Sequence, residues 1–347
     1  MTQPPRSVTI QEVAELAAVS AKTVSRVINN EPGVHLETRK RILRAIEQLD
    51  YQPNANARGL AGDRSFLIGL FCDRPGDYLS AFQAGAVQRC RESDFHLMVE
   101  PWDGASADIG RQINAVLRQL RLEGVILLPP LCDHPVVLEK LQEKSIPMVR
   151  VAPRAGPSQS PTVGIDDYAA ARRMTRYLLD LGHRRIGFIR GHPGHGATDA
   201  RDRGFREEML AGGAPVEESL VKTANFVFAD GLVVAEQILR GPRPPTAIFA
   251  SNDETAAAVI SVAHRLGVAV PGELSVAGFD DASVATRIWP ELTTIRQPVA
   301  AFARAAADLI IEHSPRRRGW PDPIPHLLLD FELMVRGSTQ SVLAARP

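Results

Sequence analysis

The sequence predicts an all-α segment of about sixty residues followed by a longer α/β region with two doubly wound parallel sheets. The first segment places apolar residues at helical spacing behind residues that cap helices. From Phe66 onward, short apolar strands alternate with amphipathic helices. A length of 347 residues is enough for two or three domains, at roughly 150 residues per domain.

Composition limits the classes of protein that the chain can belong to. Forty basic and 40 acidic residues leave no net charge, so any nucleic-acid-binding surface must be local. A hydrophobic content of 44% with 23% charged residues excludes a disordered chain. The apolar runs are far shorter than the ~20 residues of a membrane span, and an amphipathic pattern stands where a secretory signal would be apolar. We therefore expect a cytoplasmic protein that does not bind membranes.

The cysteines predict neither a disulfide framework nor a metal site. Cys72, Cys90 and Cys132 are too widely spaced for the close pairs of a zinc site and too few for a disulfide-rich domain. We interpret them as reduced thiols in the core and expect no metal or cofactor.

Two short helices joined by a tight turn are predicted near the N-terminus. Thr9 and Glu12 have capping-box spacing, and Ser20 can cap a second helix over residues 21–29. The first helix should bury one apolar face, formed by Ile10, Val13, Ala14, Leu16 and Ala17. The second should bury Val24, Val27 and Ile28, which leaves Ala21, Lys22, Ser25, Arg26 and Asn29 on its outer face.

A third helix, about residues 37–50, should brace this pair through Ile42, Ala45, Ile46 and Leu49. The arrangement is typical of a helix-turn-helix DNA-binding domain, whose second helix enters the major groove. Arg26 could donate two hydrogen bonds to a guanine, and Lys22 could contact a base or a phosphate. A small helical bundle with a solvated polar face is the alternative. Residues 1–62 carry eight basic and six acidic side chains, which favours DNA only weakly.

Residues 51–62 predict a conditional helix. Pro53 ends the preceding helix and Asn54 can cap a new turn, but the alanine-rich stretch is too short to be stable alone. Such a segment suits a hinge that becomes ordered on DNA. Leu60 would then insert as an apolar wedge between base steps of the minor groove, or alternatively pack on the next domain.

These motifs, namely TVSRV, the ETR that opens the third helix, and Y-x-P-N followed by A-R-x-L, occur in an order and spacing that resembles the LacI/GalR family of bacterial transcription regulators. The resemblance continues to residues 335–339. It implies a periplasmic-binding-protein-like effector domain whose chain crosses between two subdomains three times. The implied domains are residues 1–52, a hinge and linker at 53–64, and residues 65–340 with crossings near 163 and again near 290–330.

The resemblance, together with the outer-face pattern, implies a set of DNA-contacting residues: Thr9, Ser20, Ala21, Lys22, Ser25, Arg26, Asn29, His35, Thr38, Asn54, Arg58 and Leu60. Two positions depart from the family pattern. Ala18 stands where a glycine usually relieves a positive φ in the turn, which predicts modest strain or an altered turn. His35 replaces a serine and could alter a phosphate contact.

In the α/β region, polar residues follow strands of the second subdomain, where a ligand cleft is expected. The resemblance implies that Arg201, Phe226, Asn252 and Asp280 contact an effector. Tyr78, Asp166 and Trp289 are further candidates, and each acidic residue could instead be a helix cap or turn former. Guanidinium, amide and carboxylate groups together suit sugar hydroxyls.

Catalytic motifs were sought and not found. The glycine-rich loop at residues 191–196 lacks the Lys-Ser/Thr pair of a phosphate-binding loop, and its two histidines have no third ligand at useful spacing. We expect no catalytic residues.

The sequence therefore predicts a ligand-responsive regulator, most simply a repressor, that binds a palindromic operator in double-stranded DNA as a homodimer. Only eight residues follow the RGST motif, too few for a leucine-heptad tail, which favours a dimer over a tetramer. A sugar or glycoside is the favoured effector, with a nucleoside or purine still open. The alternatives are a solute-binding protein without a DNA-reading role and an enzyme that uses the cleft.

Overall fold

The computed structural model describes residues 8–28, 32–51, 65–73, 75–154, 159–313 and 320–342. The chain forms two compact units, Met1–Phe66 and Leu67–Pro347. The predicted hinge and linker at 53–64 lie outside the described residues, so the hinge helix stays a prediction. In the described ranges every helix is too short or too polar to cross a lipid bilayer.

The first unit is a three-helix domain with its own small core. Its helices are α1 (Ile10–Leu16), α2 (Ala21–Ile28) and α3 (Leu36–Gln48). The side chains at its centre are almost completely buried and come from all three helices: Val13, Ala17, Val24, Val27, Ile42 and Ala45. Tyr51 closes this core from beyond α3. Apart from Leu16, the helical spacing in the sequence therefore identifies the residues that form this core or pack against it.

Two capping side chains fix where α1 and α2 begin. The backbone N–H of Thr9 donates to Glu12 Oε2 at 2.6 Å, and Glu12 N–H donates to Thr9 Oγ1 at 3.4 Å, which completes the capping box. The N–H of Thr23 donates to Ser20 Oγ at 3.2 Å. Both capping predictions are confirmed. Such a cap contributes about 1 kcal/mol to helix stability.

The turn between α1 and α2 is built on a left-handed residue. Ala18 has φ +49°, a conformation that costs an alanine about 1 kcal/mol relative to glycine, so the predicted strain is present. Arg41 from α3 donates to the Ala17 carbonyl at 2.8 Å and ties the third helix to the end of the first. The prediction that Leu16 is buried is wrong: this residue is 45% exposed, because Val13, Ala14 and Ala17 occupy the buried face of the helix and Leu16 lies beside that face.

The second unit begins with a run of alternating strands and helices. In order they are β1 (Leu67–Cys72), α4 (Asp77–Glu92), β2 (His96–Pro101), α5 (Ile109–Gln119), β3 (Gly124–Leu127), α6 (Pro135–Glu143), β4 (Met148–Val151) and β5 (Thr162–Gly164). Every pairing among these strands is parallel. Strands β1, β3, β4 and β5 are buried, as expected for a sheet covered by helices, whereas β2 at the edge of the sheet is partly exposed.

A second parallel sheet follows. Its elements are α7 (Asp167–Asp180), β6 (Ile186–Arg190), α8 (Gly196–Ala211), β7 (Val221–Thr223), α9 (Phe228–Leu239), β8 (Ala247–Ala250), α10 (Asp253–Arg265) and β9 (Ser275–Ala277). The strand order is β7-β6-β8-β9. Both sheets therefore have the predicted doubly wound, parallel character.

The last elements return to the first sheet and then leave it again. They are β10 (Thr294–Arg296), α11 (Val299–His313), β11 (His326–Leu328) and β12 (Glu332–Met334). Helix α11 packs on α4 and the first sheet, and β11 joins that sheet beside β5, giving the order β11-β5-β4-β3-β1-β2. Strands β10 and β12 pair antiparallel where the chain passes between the two halves.

We call the half around the first sheet, with α4–α6 and α11, the first lobe, and the half around the second sheet, with α7–α10, the second lobe. The chain passes between the lobes after β5, after β10 and before β12. Five strands were not predicted from the sequence: β5, β7, β10, β11 and β12. Each has only three residues. Strand β9 is equally short but was predicted, because it lies within an apolar run at residues 274–279.

The three cysteines are buried in the first lobe and form no disulfides, as predicted. Burial raises the pKa of the Cys72 thiol and of the Cys90 thiol to about 11. These thiols are therefore protonated near neutral pH and unreactive.

Candidate functional site

Helix α2 presents the polar face that the sequence assigned to DNA. Lys22 is exposed, and Ala21, Ser25 and Arg26 are half-buried beside it. Val24 and Val27 hold the opposite face of the helix in the core. The helix therefore has one anchored side and one side whose polar groups can reach a partner.

Arg26 is held close to the end of its own helix. Its Nη2 donates to the Pro32 carbonyl at 3.1 Å, next to Gly33, whose φ of +92° is left-handed. This contact orients the guanidinium. A guanidinium is the group that forms bidentate contacts with guanine. The contact of Arg26 with a base stays a prediction.

The remaining predicted DNA contacts differ in how much of each side chain is available. The Thr9 and Ser20 hydroxyls are already engaged as helix caps. His35 stands exposed at the N-cap of α3 without a side-chain capping bond, and Thr38 is half-buried in the first turn. Asn29, Asn54, Arg58 and Leu60 lie outside the described residues, so their predicted contacts stay predictions.

In the second unit, Arg201 is the centre of a buried polar cluster. Only 4% of the residue is exposed, and its Nε and Nη2 each lie 2.8 Å from Asp167 Oδ1. Its Nη1 donates to the Ser251 carbonyl. The guanidinium carbon lies 3.5 Å from the centroid of the Phe279 ring and 5.9 Å from that of Phe226. The cation is thus paired, hydrogen-bonded and sandwiched by aromatic rings.

Asn252 and Phe226 are positioned by each other. The Asn252 Oδ1 caps α10 by accepting from Thr255 N–H at 3.1 Å, and its Nδ2 donates to the Phe226 carbonyl at 3.1 Å. Phe226 has φ +62°, a conformation that non-glycine residues rarely adopt and that marks functional sites. The amide therefore links the loop after β7 to the end of β8.

Asp280 occupies the loop after β9 in a strained backbone conformation, with φ +114°. Its Oδ1 accepts from Gln297 Nε2 at 2.6 Å. Burial, only partly offset by the Arg201 guanidinium and by this hydrogen bond, raises the pKa of Asp280 to about 6. The neighbouring Asp253 is completely buried, and burial together with the Asp280 charge raises its pKa as well.

Tyr78 comes from α4 in the first lobe and meets this cluster from across the cleft. Burial raises the pKa of its phenol, and the charges of Asp280 and Asp167 raise it further. The hydroxyl is therefore protonated at neutral pH and can donate a hydrogen bond. The structure thus brings together five of the seven predicted effector residues: Tyr78, Arg201, Phe226, Asn252 and Asp280.

The other two predicted effector residues are placed differently. Asp166 is exposed and caps α7, where its Oδ1 accepts from Ala169 N–H at 2.9 Å, so it has the capping role that was the alternative. Trp289 is 82% exposed, so most of its side chain faces solvent. The neighbour Asp167, which the sequence analysis missed, supplies the carboxylate to Arg201.

Two polar contacts join the lobes beside the cluster. Arg154, which follows β4, donates to Asp199 of α8 and to the Pro193 carbonyl. Ser283 of the second lobe donates to Asp77 of α4. A Cβ on Gly196 would lie 2.4 Å from the Arg154 Cα, so this close approach of the lobes requires glycine. The lobes are therefore in contact in this conformation.

Comparison with known proteins agrees with both halves of the chain. Residues 9–54 match the family described as "Bacterial regulatory proteins, lacI family", and residues 175–339 match the "Periplasmic binding protein-like domain". Catabolite control protein A of Priestia megaterium is 31% identical over 309 residues, which cover 88% of this chain and 92% of that protein.

Solved structures give the same result. The complex of the transcriptional regulator CelR with cellobiose has a TM-score of 0.73 at 30% identity and covers 95% of this chain and 99% of that one. The lac repressor dimer bound to operator and the anti-inducer ONPF has a TM-score of 0.79 at 25% identity and covers 96% and 100%. The predicted fold class and family resemblance are confirmed. The chain belongs to the LacI family of bacterial transcriptional regulators.

Proposed function

We propose that this chain represses transcription as a homodimer on a palindromic operator, and that a sugar held between the two lobes controls its affinity for that operator. The observation that carries the proposal is the cluster of Arg201, Asp167, Asn252 and Asp280 at the strand ends of the second lobe. It combines donors and acceptors at fixed positions, which is what recognition of several hydroxyl groups requires.

The comparisons support this assignment. One similar structure holds cellobiose, and another holds operator DNA together with a small ligand. DegA of Bacillus subtilis and GalR of Escherichia coli, which are both 31% identical to this chain, are named as transcriptional regulators. We therefore infer that the cleft binds its ligand without catalysis and that the protein acts in the cytoplasm, where bacterial DNA lies.

The DNA-reading role is assigned to the outer face of α2. We infer that Arg26 reads a base, that Lys22 and Ser25 contact bases or phosphates, and that the predicted hinge with Leu60 enters the minor groove between two half-sites. Closure of the lobes would alter the spacing of the two hinges in a dimer. Because coupling is reciprocal, operator DNA must change effector affinity by the same factor as effector changes operator affinity.

Selection of bound duplexes from a random pool tests the proposal. The full chain should enrich an inverted repeat, and its operator affinity should change with one member of a panel of sugars, nucleosides and purines. The direction of that change would decide whether the effector induces or co-represses. If no sequence is enriched with or without ligands, the DNA-binding role is wrong.

Arg26→Ala tests whether Arg26 recognises a base of the operator. We expect a loss of about 1–3 kcal/mol in discrimination at one base pair of each half-site, measured by competition between operator variants. Arg111→Ala, which removes an exposed arginine of the second unit, is the matched control and should leave selectivity unchanged. Unchanged selectivity of the Arg26 variant would remove this residue from base reading.

A further inference from the structure

A large pocket opens beside the cluster around Arg201 and is not lined by that cluster. Its volume is about 790 Å³, in the range of ligand pockets. The loops after β1, β2, β3 and β4 form one wall, and the loop after β6 forms the other. The polar residues that matter for its chemistry are Asp73, Trp102, Asp103, His134, Arg154 and His192.

Two buried polar atoms in this lining have no hydrogen-bond partner among the residues that the structure describes. They are Trp102 Nε1 and His134 Nδ1. Trp102 is only 7% exposed, and its ring packs on Phe71 with 5.7 Å between centroids. A buried donor left without a partner costs about 1–3 kcal/mol, so such atoms indicate a missing partner.

The two atoms offer opposite hydrogen-bonding roles. The indole Nε1–H can only donate. The His134 Nε2 lies 3.2 Å from the Gly104 carbonyl, and because a carbonyl can only accept, Nε2 carries the proton. The Nδ1 is then an acceptor. A pair of one donor and one acceptor matches hydroxyl groups, since each hydroxyl both donates and accepts.

The charges of the lining disfavour an anion. Asp73 and Asp103 add carboxylates to the pocket. The guanidinium of Arg154 is already engaged with Asp199 and the Pro193 carbonyl, and Asp133 accepts from Arg154 N–H at 2.8 Å. A phosphate or carboxylate would therefore meet like charge, whereas the hydroxyls of a neutral ligand could donate to these oxygens.

A row of rings connects this pocket to the cluster around Arg201. The His192 and His195 rings are 5.4 Å apart, His195 and Phe226 are 5.1 Å apart, and Phe226 lies beside the Arg201 guanidinium. A ligand seated at the cluster could thus extend along these rings into the pocket.

We propose that the effector is a neutral oligosaccharide of at least two units, with one unit at the Arg201 cluster and a second in the pocket of Trp102 and His134. This inference rests on the proposed function, because it specifies the sugar that the cleft binds. It assigns Trp102 and His134 as residues that select oligosaccharides over monosaccharides.

Calorimetric titration of the full chain tests the assignment. The probes are glucose, galactose, their 6-phosphates, and the neutral disaccharides cellobiose, maltose, lactose, melibiose and sucrose. We expect the tightest ligand to be a disaccharide. Trp102→Phe keeps the aromatic ring but removes the donor, so it should weaken that disaccharide about tenfold and leave any monosaccharide within about twofold.

Two further variants sharpen the test. His134→Phe removes the acceptor and should show the same selective loss even if Trp102→Phe folds poorly. Trp320→Phe is the matched control and should leave both classes of sugar unchanged. Far-ultraviolet circular dichroism and the unfolding midpoint confirm that each variant is folded.

The outcomes separate this inference from the proposed function. The assignment of a second sugar residue to this pocket would be wrong if a monosaccharide or a sugar phosphate bound most tightly. It would also be wrong if the variants affected both classes of sugar equally or not at all. Either result would leave the proposal of a sugar-controlled repressor intact. If no sugar of the panel binds although operator binding persists, both the sugar effector and this inference fall.

Discussion

The two lobes contribute very different chemistry to the cleft. The second lobe supplies buried groups that already have partners before any ligand arrives: Arg201 is paired with Asp167, and Asn252 donates to the Phe226 carbonyl. The first lobe supplies the Tyr78 hydroxyl and a pocket in which Trp102 Nε1 has no partner among the described residues. One wall of the cleft is thus organised in advance, and the other has bonds left to make.

This difference has a consequence for how a ligand could close the cleft. A ligand shifts a conformational equilibrium only through contacts that differ between the two conformations. The network of the second lobe is present without a ligand and so can bind in either conformation. The groups of the first lobe gain their partners only when a ligand bridges the lobes, so they are expected to carry the differential contacts.

The largest expected effect is on the free energy of unfolding and comes from removing Arg201 from the buried network of the second lobe. Arg201→Ala leaves the Asp167 carboxylate buried without its cation, so the free energy of unfolding should fall by about 3–5 kcal/mol. Urea unfolding of the ligand-free protein measures this loss. Arg201→Met, which fills the same space without charge, serves as the comparison and should lose a similar amount. A loss below about 1 kcal/mol would show that the pair is solvated rather than buried.

A smaller effect is expected from Asp280. Its pKa of about 6 in the folded chain lies above the ordinary value of 3.8, so between these values the folded state holds more protons than the unfolded one. Stability contributed by this group is therefore present at low pH and is lost as pH rises toward 6 and above. Asp280→Asn should remove this loss and gain about 2 kcal/mol at neutral pH relative to about pH 4.

Urea unfolding of both proteins across this pH range makes the comparison. Because burial and the Asp280 charge both raise the pKa of Asp253, the difference between the two proteins reports Asp280 together with its effect on Asp253. Arg201, Gln297, Asp167, Glu254 and Tyr78 face the group and are common to both proteins. Parallel pH profiles would mean that Asp280 ionises as in water.

Much of the fold followed from local rules in the sequence. The capping box at Thr9, the cap at Ser20 and the helical spacing of Val24 and Val27 located the first unit, because each is set by residues within one turn. The longer apolar strands of both lobes were also predicted from their own sequence. Five of the six three-residue strands were not predicted, because their pairing depends on distant segments rather than on their own pattern.

The site was only partly predictable, and the adjacent Asp166 and Asp167 show why. Either carboxylate could cap α7 or enter the cleft, and the sequence does not say which. The start of the helix at Asp167 turns Asp166 toward Ala169 N–H and Asp167 toward Arg201, a choice fixed by the helix boundary. The prediction that Trp289 contacts the effector was made because a tryptophan ring can stack on a ligand. In the structure the loop that carries Trp289 leaves it exposed.

A modest effect on sugar affinity is expected from a change in the first lobe, whose groups gain partners only when a ligand binds. Tyr78→Phe removes one hydroxyl that faces Asp280 and Asp167 and should weaken the sugar found in the operator screen by about 1 kcal/mol, near fivefold. The unfolding midpoint without ligand should stay unchanged. Calorimetric titration measures the affinity. If stability falls while affinity stays, Tyr78 belongs to the organised network, and the contrast between the lobes is weaker than described.

The smallest effect on stability is expected at the contact that joins the lobes. Arg154 and Asp199 have side chains that are 49% and 45% exposed, so Arg154→Ala should cost less than about 1 kcal/mol in urea unfolding. Arg240→Ala removes a pair of similar exposure that lies entirely within the second lobe, and it should cost as little. The two variants should differ in small-angle scattering. Of the two variants, only Arg154→Ala should increase the radius of gyration of the ligand-free protein, because the Arg154–Asp199 pair bridges the lobes and the Arg240–Glu236 pair does not. An equal radius for both variants would show that the remaining contacts, including Ser283 with Asp77, suffice to hold the lobes together.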